Sequence, residues 1–271
     1  MNFPVDIPLG RAVVYPTTYN PSLLCPIARA TTRGQQSDDL LPPFRGHDRW
    51  QAYELGWLDV RGKPQVATAT LVVPYDSTYL IESKSLKLYL NSLNAKTFPD
   101  AQALQHCIAH DLSSCAHADV AVYLGVPDTT PTNTFHSIDT LPITITDYGP
   151  PHPDHLHTQK HHILEEHLAS ALFKSNCPVT GQPDWADLHI LYRGPAIDHA
   201  GLLRYIISYR NHADFHEHCV ERIFLDIQRT CAPEWLIVEA CYTRRGGIDI
   251  NPIRYSPNTP VVPSPFRPTR Q

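Results

Sequence analysis

The stretch 127–153 carries Pro127, Pro131, Pro142, Pro150, Pro151 and Pro153 among Thr, Asp and His. Proline fixes φ and removes a backbone donor, so a cluster this dense interrupts any helix or central strand. The chain is therefore expected to fold as two halves, 1–150 and 151–271. The 271 residues are enough to bury a core in each.

The apolar patterning on the two sides has the same rhythm. In the first half, Gln65 to Tyr75 and Tyr79 to Glu82 read as strands, rich in Val, Thr and aromatic residues. Leu86, Leu90 and Leu93 then fall at helical spacing, and Pro99-Asp100 opens a second helix carrying Ala103, Leu104, Cys107 and Ile108 on one side. Ala118 to Leu124 and Leu141 to Ile145 read as closing strands. In the second half, Leu188, Ile190 and Tyr192 alternate with His189, Leu191 and Arg193 in the period of two that marks a strand. Leu202 to Tyr209 reads as another strand. Phe215, Cys219, Val220, Ile223, Phe224 and Ile227 form a helical stripe that Asn211 or Asp214 could cap, and Trp235 to Tyr242 reads as a strand. Periodicity leaves Ile163 to Lys174 open between helix and strand. Six prolines in Asn251 to Gln271 exclude a helix and predict an extended surface tail.

A net charge of −5 disfavours a long nucleic acid as the main partner, because such proteins carry a basic face. Met1 to Asp6 has neither a basic region nor an apolar run behind it, so a secretory leader is not expected. No apolar stretch approaches the roughly 20 residues that span a bilayer. Seven scattered cysteines, without close pairs, fit a reducing cytoplasm. His152, His155, His157, His161 and His162 lie in or beside the proline-rich connection, where nothing fixes geometry. They read as a polar linker, and no metal site is expected.

Four segments could carry chemistry. In Ser175-Asn176-Cys177-Pro178-Val179-Thr180-Gly181-Gln182-Pro183-Asp184-Trp185, one thiol and one carboxylate flank a bent connection. A nucleophile with a proton carrier is the minimum for covalent catalysis; a loop cysteine beside an acidic turn residue explains the same letters. Lys84 and Lys87 share a helix face, and with Ser83, Ser85 and the amides of a helix start they could cradle phosphate, or simply form a solvated face. His216 and Glu217 sit in the first turn of the later helix, where the helix dipole suffices to explain the Glu. Arg244-Arg245-Gly246-Gly247 is either an anion-binding turn or a charged hairpin.

Taken together, Glu82-Ser83-Lys84-Ser85-Leu86-Lys87-Leu88-Tyr89, Ser175-Asn176-Cys177-Pro178 with Gln182-Pro183-Asp184-Trp185, Phe215-His216-Glu217-His218-Cys219-Val220-Glu221-Arg222-Ile223, and Tyr242-Thr243-Arg244-Arg245-Gly246-Gly247 resemble the NADPH-dependent 7-cyano-7-deazaguanine reductases in their long, two-module form. The resemblance is weakest from about Val126 to Gln159. It implies an α+β chain of tandem tunnelling-fold modules, each an antiparallel four-stranded sheet with two helices between strands 2 and 3. Residues 1–150 would hold the Glu-Ser-Lys-Ser motif and 151–271 the nucleophile, so that the site forms where the modules meet. It also tips Ile163 to Lys174 toward strand.

The activity implied is a four-electron reduction of a nitrile to a primary amine, in queuosine biosynthesis for tRNA modification, acting on the free base and not on nucleic acid. By resemblance, Cys177 forms a thioimide, Asp184 is the acid and His216 assists proton movement. Ile81, Glu82, Ser83, His216 and Glu217 would hold substrate, and Ser83, Lys84, Arg245 and Gly246 would hold NADPH. A cytoplasmic homodimer is expected. Two rivals remain: a zinc-dependent pterin or GTP cyclohydrolase-like enzyme of the same fold, which would need a compact Cys/His set beside Cys177, and a non-catalytic purine-binding module.

Overall fold

A computed structural model describes residues 15–33, 42–126, 135–260 and 267–271. Met1 to Asp6 and the first two prolines of the central cluster, Pro127 and Pro131, lie outside them. The protein is α+β, with β1 (Pro26–Ala28), α1 (Arg29–Arg33), β2 (Arg45–Leu58), β3 (Pro64–Pro74), β4 (Tyr79–Ile81), α2 (Ser83–Ser92), α3 (Ala101–Ala116), β5 (Ala121–Leu124), β6 (His136–Ser137), β7 (Thr158–Ser170), β8 (Lys174–Asn176), β9 (Pro183–Ile197), α4 (His199–Ile207), α5 (His216–Cys231), β10 (Trp235–Tyr242) and β11 (Ile248–Tyr255). It divides into two compact units. The first comprises Met1–Pro42, His47–Asp128 and Arg244–Asp249; the second comprises Pro43–Gly46, Thr129–Thr243 and Ile250–Gln271. The division near residue 128, and the assignment of a C-terminal turn to the first unit, differ from a single cut at 150.

In the first unit, β3 pairs antiparallel with β2 on one side and β5 on the other, and β1 pairs antiparallel with β4. A register shift between Ala52 and Leu55 bends β2. Helix α2 starts because the Glu82 carboxylate accepts the amides of Lys84 and Ser85. Asp100 caps α3 by accepting the Ala103 amide, so Pro99 precedes the helix and does not occupy its first turn. Leu86, Tyr89, Leu93, Leu104, Ile108 and Leu112 are buried between the helices and strands, each large side chain contributing about 1.5–3 kcal/mol relative to exposure.

The second unit runs β7, β9, α4, α5, β10, β11, with β9 pairing β7 and β10, and β10 pairing β11, all antiparallel. Two helices therefore intervene between its second and third long strands. β6 adds a short parallel pairing to β7, and β8 forms a hairpin with β9.

Four expectations fail here. Leu202 to Tyr209 belongs to helix α4 and the turn after it. Asp198 accepts the Gly201 amide, and Leu202, Leu203, Tyr205 and Ile206 bury one face. The proline-rich tail begins as strand β11, in which Asn251, Ile253 and Arg254 are buried; Arg254 meets Glu221 at 2.8 Å in the interior. Leu141 to Ile145 is not a strand, and its Leu141 and Ile143 amides donate locally, to the Ile138 and Leu141 carbonyls. Thr158 to His162 is the exposed start of β7 and not a linker, while His152 and His155 face Asp147 at 3.6 and 3.5 Å. The stripe helix α5 is as expected, but Phe215 is its N-cap and gives no side-chain bond. Asp214 instead accepts the Phe215 amide and faces His218 and His212 at 3.4 and 3.6 Å.

Candidate active site

In the second unit, the β8–β9 ladder sets Asn176 opposite Pro183 and Ser175 opposite Asp184. The connection between them closes with the Cys177 amide donating to the Gln182 carbonyl at 2.9 Å and the Gly181 amide donating to the Cys177 carbonyl at 2.9 Å. Gly181 has φ +69°, the left-handed geometry that glycine adopts without strain. This turn returns the chain so that Cys177 stands beside the strand carrying Asp184. Both are nearly enclosed, at 6% and 4% exposure.

The start of α5 brings an imidazole to this carboxyl group. His216 Nε2 lies 3.3 Å from Asp184 Oδ2, and the imidazole face rests on the Tyr242 ring with centroids 3.9 Å apart. Glu217, the next residue, is buried. Below them Asp214 is buried, which by itself would raise its carboxyl, yet hydrogen bonds from His212 and His218 outweigh burial and hold it at about 2. Burial pushes the neighbouring Cys219 thiol and Tyr242 phenol far up, leaving both neutral. Thus Cys177, Asp184, His216 and Glu217 fall in one unit, with Asp184 and His216 in direct contact and Cys177 in the turn that leads into the strand carrying Asp184.

The first unit holds the other predicted residues. Ile81 ends β4 opposite Pro26, and the Glu82 amide donates to the Cys25 carbonyl at 2.9 Å. Burial raises the Glu82 carboxyl above its usual range, against the lowering effect of the Lys84 and Ser85 amides and of Lys87 and Lys84. One part of the phosphate-cradle reading fails. The Lys84 and Ser85 amides already bond Glu82, and the Ser85 hydroxyl donates to the Glu82 carbonyl at 2.6 Å. The Lys84 and Ser85 amides and the Ser85 hydroxyl proton are therefore committed to Glu82.

Arg245 and Ile248 exchange backbone bonds at 2.9 and 3.3 Å around Gly246 and Gly247, whose φ values of +56° and +78° suit a two-residue hairpin turn of the glycine-requiring type. The turn lies against α2: a Cβ on Gly246 would come within 3.1 Å of Lys87 Nζ. Arg244 covers the Tyr53 ring at 3.9 Å, and Tyr53 donates to Asp249 at 2.6 Å. Lys87 and Gly246 are thereby neighbours, and the cations of α2 and of the turn share one region of this unit. That donor set fits an anionic, phosphate-bearing cofactor.

Sequence reasoning missed Tyr242 and the Asp214–His218 contact. The second had a signal in its i,i+4 spacing on a helix start; the first had none, since a ring stack between a strand end and a helix start leaves no period.

The family model described as "Nitrile reductase, 7-cyano-7-deazaguanine-reductase N-term" matches residues 15–124, and "QueF-like protein" matches 183–260. A protein of Xanthomonas campestris pv. campestris named NADPH-dependent 7-cyano-7-deazaguanine reductase is 60% identical over the whole of both chains. Like-named proteins of Stenotrophomonas maltophilia and Xylella fastidiosa are 56% identical over 100% of both chains and 57% identical over 97% of both. Among solved structures, the archaeosine synthase QueF-Like in the apo form is 17% identical, covering 36% of this chain and 96% of its own, with a TM-score of 0.32. On full-length identity to these relatives, the chain belongs to the NADPH-dependent 7-cyano-7-deazaguanine reductase family.

Proposed function

We propose that this protein reduces the nitrile of 7-cyano-7-deazaguanine to the primary amine through a covalent thioimide on Cys177. The observation that carries the reading is the enclosed Cys177 in the turn between β8 and β9, with Asp184 at the start of β9 lying 3.3 Å from His216. Full-length identity of 60% to a named reductase sets the substrate. A nitrile carbon is a weak electrophile, so attack needs a soft nucleophile and a proton for the nitrogen as the carbon–sulfur bond forms.

Cys177 supplies the sulfur, and its proton ends on the nitrile nitrogen by way of Asp184. NADPH supplies hydride when bound, twice, since nitrile to amine takes four electrons. His216 delivers protons to the nitrogen as it becomes an amine, through its contact with Asp184. Breaking the carbon–sulfur bond at the imine stage returns the electron pair to Cys177. The low exposure of Cys177 and Asp184 keeps water from the thioimide and imine, both of which hydrolyse.

Ile81, Glu82, Ser83, His216 and Glu217 hold the substrate, the carboxylates accepting from its guanine-like edge. Ser83, Lys84, Arg245 and Gly246 hold NADPH, the cations meeting its phosphates. Each half is a tunnelling-fold module, 1–150 and 151–271, and the second unit's order of two strands, two helices and two strands supports that assignment. The substrate is the free base, the working form a cytoplasmic homodimer, and the product feeds queuosine formation. Among the described residues, no helix is long and apolar enough to cross a membrane.

The deciding test mixes protein with 7-cyano-7-deazaguanine without NADPH and records the intact mass. An adduct of the substrate's mass, absent in Cys177→Ala, is expected; its absence from wild type overturns the reading.

A further inference from the structure

The Asp184–His216 pair has a third member. Tyr242 ends β10 opposite Ala186 on β9, the strand that also carries Asp184, and the Thr243 amide prolongs that ladder by donating to the Trp185 carbonyl at 2.9 Å. Tyr242 is 1% exposed, and its ring lies against the His216 imidazole in a tilted stack, with centroids 3.9 Å apart and an interplanar angle of 33°. Phe173 meets the same ring at 6.1 Å and 68°, and Tyr209 backs Phe173 at 5.4 Å. The phenol oxygen points away from solvent, toward Ser175 and Cys219.

A histidine at the first position of a helix has two free side-chain torsions and, here, 18% exposure of its side chain. The Asp184 contact fixes one atom of the ring but leaves the plane free to turn about it. A flat, immobile surface at 3.9 Å removes that freedom. From this we infer that Tyr242 is a positioning residue: its ring, and not its hydroxyl, holds the His216 imidazole in the plane that turns Nε2 to Asp184. The inference rests on the proton-handling roles proposed above for those two residues.

Three predictions separate this role from mere packing. Tyr242→Phe keeps the ring and retains kcat. Tyr242→Leu lowers kcat about tenfold while KM for each substrate stays within about twofold, because orientation at the reacting nitrogen is lost and ground-state binding is not. In a His216→Ala background, Tyr242→Leu costs nothing further, whereas a packing defect would add its own loss. Proton spectra of His216 supply a signature: its ring C–H resonances lie upfield under the Tyr242 ring current in wild type and Tyr242→Phe, and move downfield in Tyr242→Leu. Near-ultraviolet circular dichroism checks folding, and Tyr242→Met replaces Leu if Leu does not fold.

Wild-type kcat in the folded Leu or Met variant overturns the inference, as does a Phe variant equally slow. The adduct experiment tells the two possible failures apart. If wild type forms no Cys177 adduct, the underlying reading falls; if it forms the adduct while loss of the ring leaves kcat untouched, only the positioning role falls.

Discussion

His216 Nε2 stands 3.3 Å from Asp184 Oδ2, one at the first residue of a helix and the other at the second residue of a strand. This contact joins two candidates that lie 32 residues apart in the sequence, in the same unit as the buried Cys177. It also specifies what changes to either residue should do.

Asp184→Asn keeps the shape and removes the exchangeable charge. The rate of thioimide formation should fall by about 10²-fold or more, the usual weight of general acid–base assistance, with an unchanged circular dichroism spectrum. Stopped-flow spectra with substrate alone measure it, and wild-type rates would take Asp184 out of the acid role.

Cys177→Ala should retain substrate binding and lose all turnover, since no other group forms the carbon–sulfur bond. Equilibrium titration with 7-cyano-7-deazaguanine, run beside an NADPH consumption assay, reads both. Residual turnover above background would exclude covalent catalysis at this position.

Arg245→Ala should raise KM for NADPH about tenfold, the weight of one charge-assisted hydrogen bond, and leave kcat within a few-fold. The salt dependence of that KM should also weaken. An effect on the nitrile substrate's KM instead would move Arg245 from the cofactor to the substrate.

Glu221 and Arg254 meet at 2.8 Å with side-chain exposures of 5% and 0%. Glu221→Ala strands a buried guanidinium and should cost about 3–5 kcal/mol in urea unfolding. A loss below about 1 kcal/mol would mean that water or another acceptor reaches Arg254.

Asp214 yields a pH prediction. Its folded carboxyl is held at about 2, below the ordinary value of 3.8, so its contribution is complete above the ordinary carboxylate range and disappears as pH falls from about 4 toward 2. At about 1.4 kcal/mol per unit, about 2 kcal/mol of stability should be lost in that window. Asp214→Asn should flatten this part of the stability profile. The same slope in the variant would assign the loss to other carboxylates.

Much of the site was legible because its residues cluster in short segments. Cys177 and Asp184 flank one turn, His216 and Glu217 are adjacent, and Arg245 and Gly246 are adjacent. Helices α2, α3 and α5 followed from periodicity, and β3, β9 and β10 from alternation or β-branched content. What failed did so for identifiable reasons. Leu202 to Tyr209 is so apolar that strand and helix patterns both match, and the Asp198 cap, lying outside the run, decided for helix. β2 was overlooked because Asp48, Arg49 and Gln51, polar residues, are buried within it: Arg29 contacts Asp48, and Thr70 donates to Gln51 at 2.9 Å. β11 was hidden by Pro252 within it and by the proline-rich run that follows it.

Local order along the chain was enough to read the buried helix faces, the positions of the bends, and the family to which the four motifs jointly belong. Those depend on spacing within a few residues, which the chain's covalent geometry fixes. Tertiary structure alone decided that His216 faces Asp184, that Tyr242 lies on His216, that Glu82 spends two acceptor sites on its own helix, and that Lys87 lies over Gly246. Such contacts join elements far apart in sequence. They are set by sheet register and by how helices pack on strands, and neither leaves a periodic trace in the order of residues.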